Sequence, residues 1–138
     1  MGEEKFTEFC VDVLKEEGYS PKIEEDGTVV FKCGESHLYF WRDKDAPDFM
    51  RLVHLCNCEC EDETERKKLF STATEINRIR KILKTSALGE LGEEVVEFSV
   101  EALVDSREQF KLHLQYWIDL LMSTPRTFVE RLKANLKE

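Results

Sequence analysis

The residues of this chain best suited to chemistry are three cysteines at alternate positions. The stretch LCNCECEDE, residues 55–63, contains Cys56, Cys58 and Cys60, and His54 precedes them in the same phase. Thiolate and imidazole groups are the usual ligands of zinc, and an exposed thiol near a helix N-terminus can serve as a redox sensor. Cysteine is also a small apolar residue that packs well in a core. The stretch therefore allows three alternatives: a metal site, a redox site, or a buried strand.

The spacing of these residues disfavours a closed zinc site. Alternate residues of a strand share one face about 6.6 Å apart. His54, Cys56 and Cys58 would then form a row and would not converge tetrahedrally on one ion. The more distant Cys10 and Cys33 do not supply a second pair with zinc-binding spacing. We therefore predict no metal ligands, and favour core packing.

A metal- or redox-responsive protein that uses Cys56, Cys58 and Cys60 remains the alternative hypothesis. Its redox form depends on Cys60, which immediately precedes a predicted helix. If the Cys60 side chain is exposed there, the helix N-terminus lowers the pKa of its thiol and makes the thiol reactive.

The chain has no local signature of a catalytic or cofactor-binding centre. It contains no G-x-S-x-G elbow, no phosphate-binding glycine loop before a Lys-Ser or Lys-Thr pair, and no H-E-x-x-H motif. The GELG stretch at 89–92 is a lone GxxG among acidic residues, whereas an RNA-clamping loop needs a basic setting. We predict a hairpin turn at that point, no catalytic residues, no cofactor, and a protein that is not an enzyme.

Length, composition and charge indicate one acidic domain. The 138 residues are 41% hydrophobic and 36% charged, which suits a single domain over residues 1–138. The N-terminus lacks the pattern of a signal peptide, and no apolar run approaches the roughly 20 residues that span a bilayer, so we expect a cytoplasmic protein. The net charge of −9 repels phosphate backbones, so we expect no nucleic-acid partner and no membrane partner.

The first half of the chain has the periodicity of one helix followed by short strands. An amphipathic stripe with helical spacing ends at Gly18. The next residues are rich in strand formers and are broken by turn pairs at Asp26-Gly27 and Gly34-Glu35, and a further strand is predicted at about 50–57. The predicted helix stripe consists of Phe6, Phe9, Cys10, Val13 and Leu14.

The second half predicts a helix, a hairpin and two further helices. Asp62 and Glu65 form a capping-box pattern at the start of a helix that ends near residue 80. Residues 82–88 and 94–104 are predicted to pair as a hairpin, with alternate apolar residues from Val96 to Val104 facing inward.

Ser106 and Thr124-Pro125 mark the predicted starts of the last two helices. Ser106 has a glutamine three residues later, again a capping-box pattern. Thr124 followed by Pro125 is typical of an N-cap with proline at the first helical position. We therefore expect one helix to stop there and a separate C-terminal helix, residues 125–137, to extend the domain.

This order, α-β-β-β-(β)-α-β-β-α-α, predicts an α+β fold. Strands joined mainly by hairpins favour a largely antiparallel sheet with helices packed on one face. The other face of the sheet would be partly open.

Tyr39 and Trp41 are the candidate binding residues because they share one phase of a predicted strand. They could pack beneath a helix, where aromatic residues bury large areas. Alternatively they could form a patch on the open face, as a dimer surface or a surface for a partner segment. The direction of Leu38 and Phe40 decides between the two: if these point inward, Tyr39 and Trp41 point outward.

Several segments of the chain resemble the YbjN-like domain family, also called bacterial sensory transduction regulators. They are EEGYSPKIEEDGTVVFK, HLYFWRDKDAPDFMRLVH and ATEINRIRKILKTSAL, and the resemblance covers about residues 6–121. The family has a fold similar to type III secretion chaperones, which are small, acidic, usually dimeric and without a catalytic centre. The resemblance implies a homodimeric chaperone-like or regulatory module that binds another protein, and it transfers no site residues.

Overall fold

The computed structural model describes residues 3–43 and 45–138, with side chains from residue 6 onward. This part of the chain contains three helices and six strands. In chain order they are α1 (Glu3–Glu16), β1 (Lys22–Ile23), β2 (Val29–Cys33), β3 (Ser36–Asp43), β4 (Ala46–Asn57), α2 (Glu63–Ile79), β5 (Leu83–Leu88), β6 (Val95–Leu103) and α3 (Arg107–Leu136).

The six strands form one antiparallel sheet in the order β1-β2-β3-β4-β6-β5. A tight turn joins β2 to β3, and a longer loop over residues 89–94 joins β5 to β6; glycines in both adopt positive φ angles. Helix α2 connects β4 to β5, and β6 returns to pair with β4 at the centre. The predicted α+β class and the predicted antiparallel sheet are confirmed.

The core lies between the helices and one face of the sheet. The apolar stripe predicted for α1 is buried there. The helix ends at Glu16, just before the expected stop at Gly18, whose φ of 94° lets the Tyr19 N–H bond the Leu14 carbonyl at 2.9 Å. All strand residues of the core cluster belong to this single face. They are Val29, Phe31, Leu38, Phe40, Met50, Leu52, Leu83, Val96, Phe98 and Val100.

Helix α2 protects one edge of the sheet through a single asparagine. The Asn77 Oδ1 accepts from the Thr85 N–H at 2.6 Å, and the Asn77 Nδ2 donates to the Thr85 carbonyl at 2.9 Å. These are the bonds that a neighbouring strand would make, so Asn77 satisfies part of the outer edge of β5 and hinders another strand from pairing there.

The predicted break at Thr124-Pro125 is wrong, because α3 runs without interruption from Arg107 to Leu136. Thr124 is buried, and its hydroxyl donates back to the Leu120 carbonyl at 2.6 Å, as a mid-helix threonine does. Pro125 has no N–H for the Leu121 carbonyl, which lies four residues earlier. The ring of His54 supplies that bond from the sheet at 3.1 Å.

The predicted C-terminal extension is therefore the second half of α3 and is packed as part of the domain. Phe128 is buried, and its ring meets that of Phe98 edge-on at 5.6 Å. Asn135 donates to the Thr72 hydroxyl of α2 at 2.9 Å. No helix in the described ranges is both long and apolar enough to cross a membrane.

Candidate partner-binding face

Tyr39 and Trp41 lie on the side of the sheet away from the helices. Their neighbours in β3, Leu38 and Phe40, are fully buried in the core, so the alternation of the strand directs Tyr39 and Trp41 the opposite way. Both aromatic side chains are only partly buried. The structure thus favours the surface position over packing beneath a helix.

We call this side of the sheet the open face. Residues directly opposite each other in antiparallel strands share a face, so the register identifies its members. Tyr39 is paired with Val53, which is paired with Ser99; Trp41 is paired with Arg51, which is paired with Glu101. The central residues of the open face are Val30, Tyr39, Trp41, Arg51, Val53, Leu55, Glu97, Ser99 and Glu101.

Arg51 organises the polar side chains of the open face. Its guanidinium donates to the Glu97 carboxylate, and its Nε lies 3.4 Å from Oε1 of Glu101. The same guanidinium stands 5.3 Å from the centroid of the Trp41 ring. Lys84 of β5 reaches Oε1 of Glu101 at 2.7 Å. Two carboxylates, two cations and one indole therefore form a continuous network over the centre of the sheet.

This network shields part of the open face from water although no helix covers it. Val53 has no exposed area, yet it does not belong to the core cluster. Its neighbours on the same face are Ser99 and three larger residues, Tyr39, Arg51 and Leu55, and we attribute its burial to these larger side chains. The prediction that Glu97 and Ser99 face away from the core is confirmed, but both are nearly inaccessible.

The aromatic pair borders two adjoining hollows on this face. One has a volume of about 720 Å³ and is lined by Asp26, Gly27, Thr28, Trp41, Arg42, Asp43, Phe49, Arg51 and Glu101. The other, of about 640 Å³, is lined by Glu24, Glu25, Asp26, Thr28, Tyr39, Trp41 and Leu55. Since they share Asp26, Thr28 and Trp41, they form one trough, which we call the groove.

One wall of the groove is acidic. The turn between β1 and β2 contributes Glu24, Glu25 and Asp26, all exposed. Asp26 Oδ1 accepts the Thr28 N–H at 3.0 Å, and this hydrogen bond holds the pKa of the Asp26 carboxyl below its usual value. Asp26 is therefore ionised at neutral pH, and the wall carries negative charge.

His54 and Cys56 point toward the helices, not into the groove. His54 is buried, its Nδ1 bonds the Leu121 carbonyl, and its Nε2 lies 3.7 Å from Sγ of Cys56. Burial, with a smaller contribution from Cys58, raises the pKa of the Cys56 thiol to about 11. The side chains of His54 and Cys56 thus pack between the sheet and the helices. This agrees with the core packing that the sequence analysis favoured.

The redox alternative required Cys60 to be exposed and acidified by a helix, and the structure does not support that condition. Cys60 is only 9% exposed, and its Sγ lies 3.6 Å from the Cys58 carbonyl. Burial and the nearby Glu94 carboxylate raise the pKa of the Cys60 thiol to about 11. Glu94 is held in place by the Cys60 N–H at 3.0 Å and the Gly92 N–H at 2.9 Å. Burial and the carboxylate both oppose ionisation of the thiol, so Cys60 is a poor redox sensor.

No cluster of three or more His, Cys, Asp or Glu side chains among residues 3–43 and 45–138 is arranged to hold a metal ion. The cysteine stretch supplies no geometry for a metal site and no acidified thiol. These observations do not support the alternative of a metal- or redox-responsive protein.

Two parts of this face were not foreseen from the sequence. Arg51 stands in the same phase as Val53 and Leu55, so its position on the open face follows from the alternation of β4. The acidic turn was predicted as a turn from Asp26-Gly27, but its approach to Trp41 depends on the register of β2 with β3, in which Val29 is paired with Phe40. That register was not predicted from the sequence.

The structure is similar to that of YbjN from E. coli, which is described as a proposed transcription regulator. The TM-score is 0.66, the sequence identity is 10%, and the alignment covers 95% of this chain and 92% of that chain. No family model and no curated protein matches the sequence. At this identity the likeness establishes a YbjN-like fold and nothing further.

Proposed function

We propose that this protein is a non-catalytic, chaperone-like or regulatory module that binds a segment of another protein on its open face, and that it is a cytoplasmic homodimer. The observation that carries the proposal is that the helices cover one face of the sheet and leave Tyr39, Trp41 and Leu55 at the surface of the other. The description of YbjN as a proposed regulator is consistent with a binding role.

The chemistry of the face suits binding better than catalysis. The charged groups at its centre are paired with one another: Arg51 with Glu97 and Glu101, and Lys84 with Glu101. A catalytic site needs a nucleophile or base with an orienting partner aimed at a substrate. The network of paired charges instead lies beside partly exposed aromatic rings. Such rings are enriched at protein–protein interfaces.

The test is capture of a partner by the wild-type protein and by two matched double variants. Tyr39→Ser with Trp41→Ser removes the aromatic pair of the open face. Leu112→Ser with Tyr116→Ser removes an apolar pair from the outer side of α3, where these residues are 76% and 56% exposed. Each variant is first checked for folding by circular dichroism and thermal unfolding.

We expect a partner that binds wild type and the α3 variant but is lost from the Tyr39/Trp41 variant. Equal capture by all three proteins would overturn the assignment of the open face. The homodimer is tested separately by size-exclusion chromatography with light scattering at micromolar concentration. A monomer in that experiment would contradict the proposed dimer. The binding face would still be tested by the capture experiment.

A further inference from the structure

We infer that the segment bound in the groove is basic: it carries Lys or Arg side chains next to apolar ones. This inference rests on the proposed function and adds the chemical class of the partner. It follows from three properties of the groove: the carboxylates of one wall form no ion pair, the two arginines in its lining are engaged elsewhere, and aromatic rings lie on its floor.

The acidic wall has no partner of its own. Glu24 and Glu25 are exposed, and neither forms an ion pair with any other residue that the structure describes. Asp26 uses one oxygen for the Thr28 N–H and likewise has no cation beside it among these residues. Three carboxylates on one short turn repel each other, and a bound cation would relieve that repulsion.

The two arginines that line the groove are already engaged. Arg51 is bonded to Glu97 and Glu101. Arg42 turns away toward α1, where its guanidinium carbon lies 4.0 Å from the centroid of the Phe6 ring, and it also donates to the Pro47 carbonyl. Neither neutralises the turn, so the groove attracts positive charge, and the net charge of −9 strengthens the attraction at long range.

The floor of the groove suits the rest of such a segment. The rings of Tyr39 and Trp41 offer apolar area, and an aromatic face also attracts the ammonium or guanidinium group of a basic side chain. Arg51 already stands over Trp41 at 5.3 Å, which shows this contact in the molecule itself. In the part of the chain that the structure describes, no cation stands over the Tyr39 ring, so that ring is free for one from a partner.

Fluorescence of Trp41 gives a direct measurement. The chain has two tryptophans, and Trp117 is buried in the core, so Trp117→Phe leaves Trp41 as the only indole. The probes are three short synthetic peptides in which valine alternates with lysine, with serine or with glutamate. We expect the lysine peptide to change the Trp41 emission saturably, with an affinity that falls as salt rises, and the glutamate peptide to have no effect.

A matched pair of triple variants separates local charge from net charge. Glu24→Gln, Glu25→Gln and Asp26→Asn neutralise the acidic turn, and the asparagine keeps an acceptor for the Thr28 N–H. Glu59→Gln, Glu90→Gln and Glu93→Gln remove the same amount of charge from exposed positions that do not line the groove. The turn variant is expected to bind the lysine peptide about tenfold more weakly, and the control variant nearly as well as its parent.

The outcomes distinguish this inference from the proposed function. Equal binding of the serine and lysine peptides, or equal weakening in both triple variants, would overturn the basic character of the partner and leave the open face as a binding surface. Failure of every peptide to change the Trp41 emission would also overturn it. The proposed function itself is tested by the Tyr39/Trp41 capture experiment, whose result does not depend on the charge of the partner.

Discussion

The buried ring of His54 donates a hydrogen bond from Nδ1 to the carbonyl oxygen of Leu121, 3.1 Å away. A carbonyl can only accept, so the contact requires the proton on Nδ1. The bond replaces the one that Pro125 cannot make, since proline lacks the N–H that would serve a carbonyl four residues earlier. One strand residue therefore allows α3 to continue through a proline and to bring Phe128 into the core.

Replacing His54 should cost more stability when Pro125 is present than when it is replaced. His54→Leu leaves the buried Leu121 carbonyl without a donor, which is expected to lower the free energy of unfolding by about 1–3 kcal/mol. Pro125→Ala restores the N–H, so in that background the same replacement should cost less. A double-mutant cycle by urea denaturation measures the difference. Additive effects of the two changes would show that the bond does not compensate for the proline.

Arg51 should contribute more to stability than its position on an uncovered sheet face suggests. Arg51→Ala leaves the nearly inaccessible Glu97 carboxylate without its cation and opens the cover over Val53, so we expect a loss of about 2 kcal/mol. Lys84→Ala is the control, because Lys84 is well exposed and its ion pair should contribute less than about 0.5 kcal/mol. Equal losses in chemical denaturation would contradict the cover assigned to Arg51.

Glu94 should stabilise the protein at neutral pH and lose that effect in acid. Burial alone would raise the pKa of its carboxyl, but the N–H groups of Cys60 and Gly92 outweigh burial, and the pKa in the folded state is lowered. The stabilisation is thus complete above the pKa of an unfolded glutamate and disappears as the pH falls through the lowered value.

The measurement compares wild type with Glu94→Gln by urea denaturation from pH 7 down to about pH 3. The variant should be less stable at neutral pH, and the difference should shrink as the pH falls. Glu93→Gln, at an exposed neighbouring position, should show no such pH dependence. A difference that stays constant across the range would mean that the charge of Glu94 is not what stabilises the loop.

Cys60 should react slowly with alkylating reagents. With a thiol pKa of about 11, only about 0.1% of Cys60 is thiolate at pH 8, against roughly a quarter of an ordinary cysteine. Alkylation by iodoacetamide, followed by mass spectrometry of peptides, should be on the order of a hundredfold slower in the folded protein than in urea. Fast modification of folded Cys60 at pH 8 would restore the redox hypothesis.

The sequence predicted most of the elements because their signals are local. The buried stripe of α1 follows from helical spacing, and the caps of α2 and α3 form as expected: the Asp62 carboxylate accepts the Glu65 N–H at 2.9 Å, and the Ser106 hydroxyl accepts the Gln109 N–H at 3.1 Å. The outward direction of Tyr39 and Trp41 follows from alternation as soon as Leu38 and Phe40 are known to be inside.

Where a sequence-based prediction was wrong or an alternative was left open, contacts between distant parts of the chain decided the outcome. Thr124-Pro125 has the local pattern of a helix start, but His54, far away on β4, makes it part of a helix interior. The position of Cys60 next to a helix left a redox role open beside the favoured burial, and burial together with Glu94, on the loop between β5 and β6, decided against that role. Neither partner can be identified from spacing along the chain.

Periodicity and turn chemistry determined the order of helices and strands, the helix caps and the faces of the strands. These signals act over a few residues and can be recognised in a single sequence. The single long α3, the burial of Cys60 and the meeting of the acidic turn with Trp41 were decided only by the tertiary structure. The reason is physical: a carbonyl, a thiol or a carboxylate takes its hydrogen-bond partner and its charge state from whatever the fold brings beside it, and that neighbour can stand anywhere in the chain.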